Sequence, residues 1–371
     1  MRCHKISEKK LFTILSIDLF SMTGLLFPAV IVRAGGKQGL PALLVASGLA
    51  ALFACYFLWL TKEGTFSCSE VVGSQSKGGQ YAVLAIYGVR YFLHGLFLMV
   101  VFADLMGKML LPGQNRGLLL LPFFLLTYPS VKKDLSTRGS ILEVLFPFIF
   151  LPLLLVLFLA LFQVDYGSLP EQLWQGGIWK GNLRAVYQIF LFYQPMEFLL
   201  FLLPCREKRN KGFGVLLACI FVVSVNLLFY VTAVGIFGAK GTGANLWSAL
   251  SIMQSVKLPG YFIQRLDILF LVFYIFSTFS LFSGYLFYSQ MLVEGKREEK
   301  HKKIYRILYL LLLFAAAIEI RDMEKFYEFF LGYKMWLDLP LALLVPLLVR
   351  WRWEYKKGAA HTKKKGIEYE K

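Results

Sequence analysis

Long apolar runs separated by short charged stretches set the pattern of this chain. Ten such runs fall at 11–32, 40–60, 81–111, 117–130, 141–163, 183–203, 212–236, 261–291, 304–320 and 332–349. Most approach the ~20 residues that a hydrocarbon layer about 30 Å thick demands of a spanning helix. None alternates polar and apolar residues as a barrel strand does. The pattern therefore predicts an all-α polytopic membrane protein with ten transmembrane helices, numbered one to ten in chain order. Helix four is short and ends at Pro129. Helices three and eight are longer than a perpendicular crossing needs, so they tilt or project. The first run follows Lys9 and Lys10 as a signal peptide would, but it is long and lacks a small-residue cleavage site, so it reads as helix one.

The stretch 237–260 breaks the pattern. Gly235, Gly238, Gly241 and Gly243 precede Leu246, Trp247, Leu250, Ile252 and Met253 at helical spacing. The apolar part is too short to span, which predicts a hairpin lying on the outer surface.

Composition supports the membrane reading. Of 371 residues, 57% are hydrophobic and only 17% charged, against about 25% charged in soluble domains. That excludes a soluble globular enzyme and a disordered chain. The net charge of +17 lies between the apolar runs and in the C-terminal tail, so it speaks of orientation and gives no reason to expect nucleic acid. On alternate sides the loops and ends carry 27 and 12 Lys or Arg, with Arg90 left inside helix three. The richer side includes both termini, which predicts both in the cytoplasm. The chain reads as one permease-like domain, 1–349, with halves 11–163 and 183–349, followed by a basic cytoplasmic tail, 350–371, that can meet anionic lipid.

Ten helices divide as five plus five. Halves of odd number that fold alike must be inverted, and interrupted helices at matching places then point to the ligand site. Helix one carries Ser21, Thr23, Gly24 and Pro28; helix six carries Tyr193, Gln194 and Pro195. Proline removes a backbone hydrogen bond and clashes with the preceding turn. Both breaks lie roughly 15–20 Å into their helices at 1.5 Å per residue, near the bilayer midplane. Freed carbonyls, amides and half-helix ends there suit the carboxylate and ammonium of an amino acid. Thr23, Gly24, Phe97, Tyr193 and Gln194 are the candidate ligand-binding residues, Phe97 because helix three must wall the cavity.

Charges inside the membrane are the second signal, since each is costly unless paired or wet. Asp18 precedes the helix-one break by one turn, and Glu197 follows Pro195 by two residues. Either carboxylate could carry a coupling proton, hold an amine, or pair with a neighbouring helix. Arg90 and Glu197 lie within a couple of turns in depth, so an ion pair between helices three and six is geometrically possible, and a gating role suits Glu197. Arg265 and Asp267 open helix eight and are expected to shape the outer mouth. Glu143, Glu319 and Asp338 read as interfacial, and His94 as an interhelical hydrogen-bonding residue. The five cysteines have no metal-ligand spacing, and no Walker, zinc-protease or dithiol motif occurs. No catalytic residue, metal or cofactor is predicted.

Three stretches carry a family resemblance: Ile6-Ser7 leading to the turn at Pro28; Met196 through Pro204 followed by a basic run; and Gln254 through Asp267, similar to a Phe-Ile-Glu-Arg-(Leu/Phe)-(Asp/Glu) signature. The chain resembles the B subunits of bacterial spore germinant receptors, the spore germination permeases of the amino acid–polyamine–cation permease superfamily. It departs from them where Ser21 and Thr23 replace a Gly-x-Gly pattern, Pro195 replaces a glycine and Gln264 replaces a glutamate. The resemblance implies a LeuT-type fold with helices one and six broken, and a receptor subunit in the spore inner membrane. It implies recognition of a small germinant, often an L-amino acid, alongside A-type and C-type partner subunits. The alternative is a secondary amino-acid transporter coupled to protons or cations. Neither is an enzyme.

Overall fold

The computed structural model describes residues 5–61, 75–130, 134–173, 182–207, 212–256, 266–293 and 299–369. Among the described residues each of the ten expected runs falls mainly on helix, and the only extended pairing is a parallel bridge between Ile6 and Arg206. Large apolar side chains such as Leu52, Phe148, Leu151 and Leu308 face outward, as the lipid-facing surface of a bundle requires.

Helix one is two helices. Ser7 caps Glu8–Thr23 by accepting from the Lys10 amide at 3.3 Å, the usual device for orphan N–H groups. The helix stops at a turn over 24–26, and Phe27–Gly35 follows with Pro28 in its first turn, where a missing N–H costs nothing. Helix two is Gly39–Leu60, reached through Gly36 at φ 54°. Helix three is Lys77–Met109, helix four Arg116–Ser130 and helix five Leu135–Leu161.

Helix six does not unwind. Leu183–Phe190 is α-helical, Leu191–Phe198 is a continuous 3₁₀ stretch, and Leu199–Leu202 returns to α. Runs of 3₁₀ this long are uncommon and mark hinges or strain. Pro195 sits inside this one and cannot donate to an α-type acceptor. Helix seven, Phe213–Ala244, kinks at Gly238 (φ 70°, ψ 167°). Helix eight is described over Leu266–Val293 and helix nine over Glu299–Glu319.

Helix ten differs most from expectation. It starts at Met323, well before 332, passes through a π-helical turn at Lys334–Asp338, and continues as helix to Tyr369. The expected tail is therefore a helical extension.

Glu8–Thr23 packs against helices five, seven and eight and against the 3₁₀ stretch of helix six. Nearly every residue from Leu11 to Val32 and from Ile189 to Leu203 is buried. The two interrupted helices are thus the axis of the bundle.

The hairpin after helix seven is a correction. Leu246, Trp247, Leu250, Ile252 and Met253 are buried rather than lying on the surface. Its helix, Ser248–Ser255, packs on helices five, seven and eight and on Phe27–Gly35. The apolar pattern was the signature of a plug, which needs one buried face as much as a surface helix does.

Candidate functional site

The two breaks lie side by side, tied together by helix eight. Ser21 Oγ is 2.6 Å from both the Ile17 and the Ser277 carbonyl oxygens and donates to one of them. Tyr274 Oη donates to the Ser21 carbonyl at 3.0 Å, a group freed by the ending helix. Thr23 Oγ1 folds back onto the Leu19 carbonyl at 3.1 Å. On helix six, Gln194 Nε2 donates to Glu197 Oε2 at 2.8 Å, and Tyr285 Oη of helix eight donates to Gln194 Oε1 at 2.8 Å.

Glu197 is the end of a buried charge cluster. Arg90 of helix three grips it as a fork, Nη1 to Oε1 and Nη2 to Oε2, each at 2.7 Å. Arg90 Nε meets Asp338 Oδ1 of helix ten at 2.8 Å. His94 Nδ1 lies 2.8 Å from the Arg90 carbonyl, so that nitrogen carries the hydrogen. Its Nε2 lies 3.2 Å from Asp338 Oδ2. All four side chains are buried. Bidentate geometry is the condition under which such a pair repays its desolvation, and removing one partner of a buried pair costs about 3–5 kcal/mol.

Lys334, at the π turn, is buried beside this cluster. Among the described residues its Nζ has no hydrogen-bond partner, and it rests over the faces of Phe192 and Phe330, 5.0 and 5.2 Å from the ring centroids. The expected run 332–349 puts Lys334 and Asp338 in its first two turns, with Asp338 read as interfacial. The earlier helix start carries both into the bundle.

Both faces of the bundle are shut. On the N-terminal face, Asp18 of helix one takes Arg138 Nη2 of helix five at 3.0 Å and the Ser280 hydroxyl of helix eight at 3.2 Å. Ile6 pairs with the end of helix six, its amide to the Cys205 carbonyl at 2.9 Å. Glu8 accepts the amides of Gly212 and Gly214 at 2.9 and 2.7 Å. On the opposite face the hairpin is pinned by Arg33 Nε to the Gly243 carbonyl at 2.8 Å and by Thr242 Oγ1 to the Ala233 carbonyl at 3.0 Å.

The expected ligand residues are all buried, none toward lipid, but they do not converge on one point. Gln194 joins the polar network. Tyr193 turns to helix two, its hydroxyl 3.3 Å from Ser47 Oγ. Phe97 stacks on Phe330 of helix ten, 4.1 Å between centroids. Gly24 is packed so closely that a Cβ there would lie 2.7 Å from the Phe20 ring. Of the expected gating residues, Arg90 and Glu197 meet directly, and Asp18 pairs with Arg138. Arg265 lies outside the described residues, as does the side chain of Asp267. The residues that sequence reading missed are Arg138, Lys334 and Tyr285. Arg138 fell in a loop and Lys334 in the first turn of the expected helix ten, where it drew no reading; Tyr285 had no signal beyond being a tyrosine in an apolar run. Among the described residues no group of three or more His, Cys, Asp or Glu could hold a metal ion.

Comparison with known proteins gives the context. A family model described as "Spore germination protein" matches residues 5–325. Spore germination protein B2 of Bacillus subtilis (strain 168) is 20% identical over 282 residues, covering 71% of this chain and 72% of that protein. Spore germination protein YndE of the same organism is 22% identical over 192 residues, 51% of this chain and 52% of that one. Among solved structures, MhsT in complex with L-phenylalanine aligns with a TM-score of 0.67 at 14% identity, over 94% of this chain and 90% of MhsT. A substrate-bound Na+-coupled sialic acid symporter aligns at 0.59 and 10% identity, over 90% of this chain and 79% of its own. At these identities the likeness concerns the fold, which is LeuT-type, an inverted five-plus-five repeat with helices one and six interrupted.

Proposed function

The chain belongs to the spore germination protein family of membrane permeases, and on that premise we propose that it is the membrane subunit of a germinant receptor. It binds a small germinant, an amino acid, between the breaks of helices one and six and triggers germination. The observation that carries the reading is the pairing of two interrupted helices at equal depth, walled by helix eight and shut on both faces. A polar centre sealed this way suits a protein that alternates between closed and open states, of which a ligand selects one. That the structural neighbour MhsT is titled as a complex with L-phenylalanine supports an amino acid as the ligand class.

In this reading Arg90, Glu197 and Asp338 hold helices three, six and ten in the closed arrangement, and Asp18 with Arg138 holds the N-terminal face. Thr23, Gly24, Phe97, Tyr193 and Gln194 remain the proposed pocket, reached when the breaks part. Arg265 and Asp267 shape the mouth on the opposite face. Both termini are cytoplasmic, the membrane is the inner membrane of the spore, and A-type and C-type subunits read the conformational change. The test is deletion of the gene. Germination in response to an amino acid should be lost while amino-acid uptake by growing cells is unchanged.

The transporter fold of its neighbours favours one second reading, a secondary amino-acid transporter. Uptake of labelled amino acids into vesicles holding this chain alone, driven by a proton or cation gradient, would establish it and displace the receptor reading.

A further inference from the structure

Lys334 is the only buried lysine among the described residues. It lies roughly 16 Å along helix ten, counted from Met323 at 1.5 Å per residue, which is the depth of the two breaks. Its ammonium sits within a chain of aromatic rings that joins four helices. Phe97 of helix three stacks on Phe330 of helix ten, 4.1 Å between centroids. Lys334 Nζ is 5.2 Å from the Phe330 centroid and 5.0 Å from that of Phe192, on the 3₁₀ stretch of helix six. Phe192 in turn meets Phe27, the first helical residue after the helix-one break, at 6.0 Å, and Phe27 meets Tyr193 at 5.7 Å. The expected pocket residues do not converge on one point, but Lys334 lies among them. It shares Phe330 with Phe97, and it rests on the ring that precedes Tyr193 and Gln194 in the chain.

An ammonium carries three N–H donors. Ring faces attract it but offer no strong acceptor, so these donors have left water and gained no oxygen among the described residues. The carboxylates nearby are engaged elsewhere. Glu197 accepts from Arg90 and from Gln194, and Asp338 accepts from Arg90 Nε on one oxygen and faces His94 with the other. Arg90 and Lys334 balance Glu197 and Asp338, so Lys334 neutralises this group without bonding to it. A ligand of net charge entering beside it would disturb that balance, which is costly inside a membrane. An amino acid is a zwitterion and brings none, while its carboxylate is the acceptor the ammonium lacks.

Resting on the reading of this chain as one that binds an amino acid between its breaks, we propose that Lys334 holds the carboxylate of that amino acid. In the closed arrangement the rings of Phe192 and Phe330 cover Nζ. When the breaks part, Phe192 moves with helix six, and the carboxylate takes the place of its ring and accepts from the ammonium. Lys334 opens the π turn that ends at Asp338, and Asp338 holds Arg90 at 2.8 Å. Ligand recognition and the closure of helices three, six and ten thus meet in one five-residue turn, the kind of local π winding that recurs at functional sites.

The test heats the purified full chain in detergent at neutral pH with each of the common L-amino acids in turn. Any that raises the Tm is then compared with its own carboxamide and with acetate. The carboxamide keeps the ammonium and the side chain and lacks the carboxylate. It should need about ten to a hundred times the concentration for the same shift, the strength of one hydrogen bond between charged groups. Acetate should give no shift at the concentration where the amino acid does. Lys334→Met should respond to acid and amide alike. That ratio is read within one variant, so a general loss of stability leaves it unmoved. Equal shifts by acid and amide, or by acid and acetate, in the wild type overturn the assignment of Lys334 while the amino-acid reading survives, and they do so without any variant having to fold. A Lys334→Met protein that still prefers the acid also overturns it. If no amino acid raises the Tm, the amino-acid reading itself falls and takes this one with it.

Discussion

Arg90 joins three helices through one side chain, with a fork on Glu197 and a third bond to Asp338. Arg90→Met leaves two carboxylates uncompensated inside the bundle and should cost about 3–5 kcal/mol, read as a large fall in Tm of the purified protein. Glu197→Gln keeps the shape and removes the charge. On the receptor reading it should shift the dose–response to every germinant alike, through the conformational equilibrium; a change confined to which ligand is recognised would place Glu197 in the proposed pocket. Matched depth in helices three and six made the Arg90–Glu197 pair conceivable from sequence. Asp338 was hidden because Arg321, Asp322, Glu324, Lys325 and Glu328 dilute the hydropathy of the turns that begin helix ten. Arg138 was hidden in the same way, by Ser136, Thr137, Gly139 and Ser140 around it at the start of helix five. Hydropathy reports the average environment of a window, and a buried ion pair is an exception to its own window.

At the scale of elements, the positions of the breaks were legible and their conformations were not. A proline says where an α-type bond must fail, yet the chain can answer with a turn, as at 24–26, or with tightened 3₁₀ winding, as over Leu191–Phe198. Neighbouring helices decide between them, because they offer or withhold partners for the freed groups; Tyr274 offers one to Ser21. The glycines after helix seven likewise announced a bend, but the burial of the following plug depends on a socket built by helices five and eight. Gly238 is the hinge of that plug, at φ 70° and ψ 167°, where only glycine is comfortable. Gly238→Ala should cost about 1–3 kcal/mol. A Cβ there would also lie 3.0 Å from Gln172 Oε1. The check is limited proteolysis, with cleavage between 239 and 256 accelerated relative to the wild type.

At the scale of the molecule, the polar centre is sealed by contacts that are few and nameable. On the N-terminal face, Glu8 holds two amides at the start of helix seven. Glu8→Ala removes both acceptors and should raise hydrogen exchange across the first two turns of helix one while leaving helices three and ten protected. Uniform exchange across the chain would mean general destabilisation and no local seal. The bridge from Ile6 to Arg206 has a different consequence. The two residues that close this face lie 200 positions apart in the chain. At about 5–20 residues per second, a ribosome needs roughly 10–40 s to make the second after the first. Throughout that interval the nascent amino terminus has no strand partner of its own, and whatever binds it while synthesis continues competes directly with the permease's first act of closure.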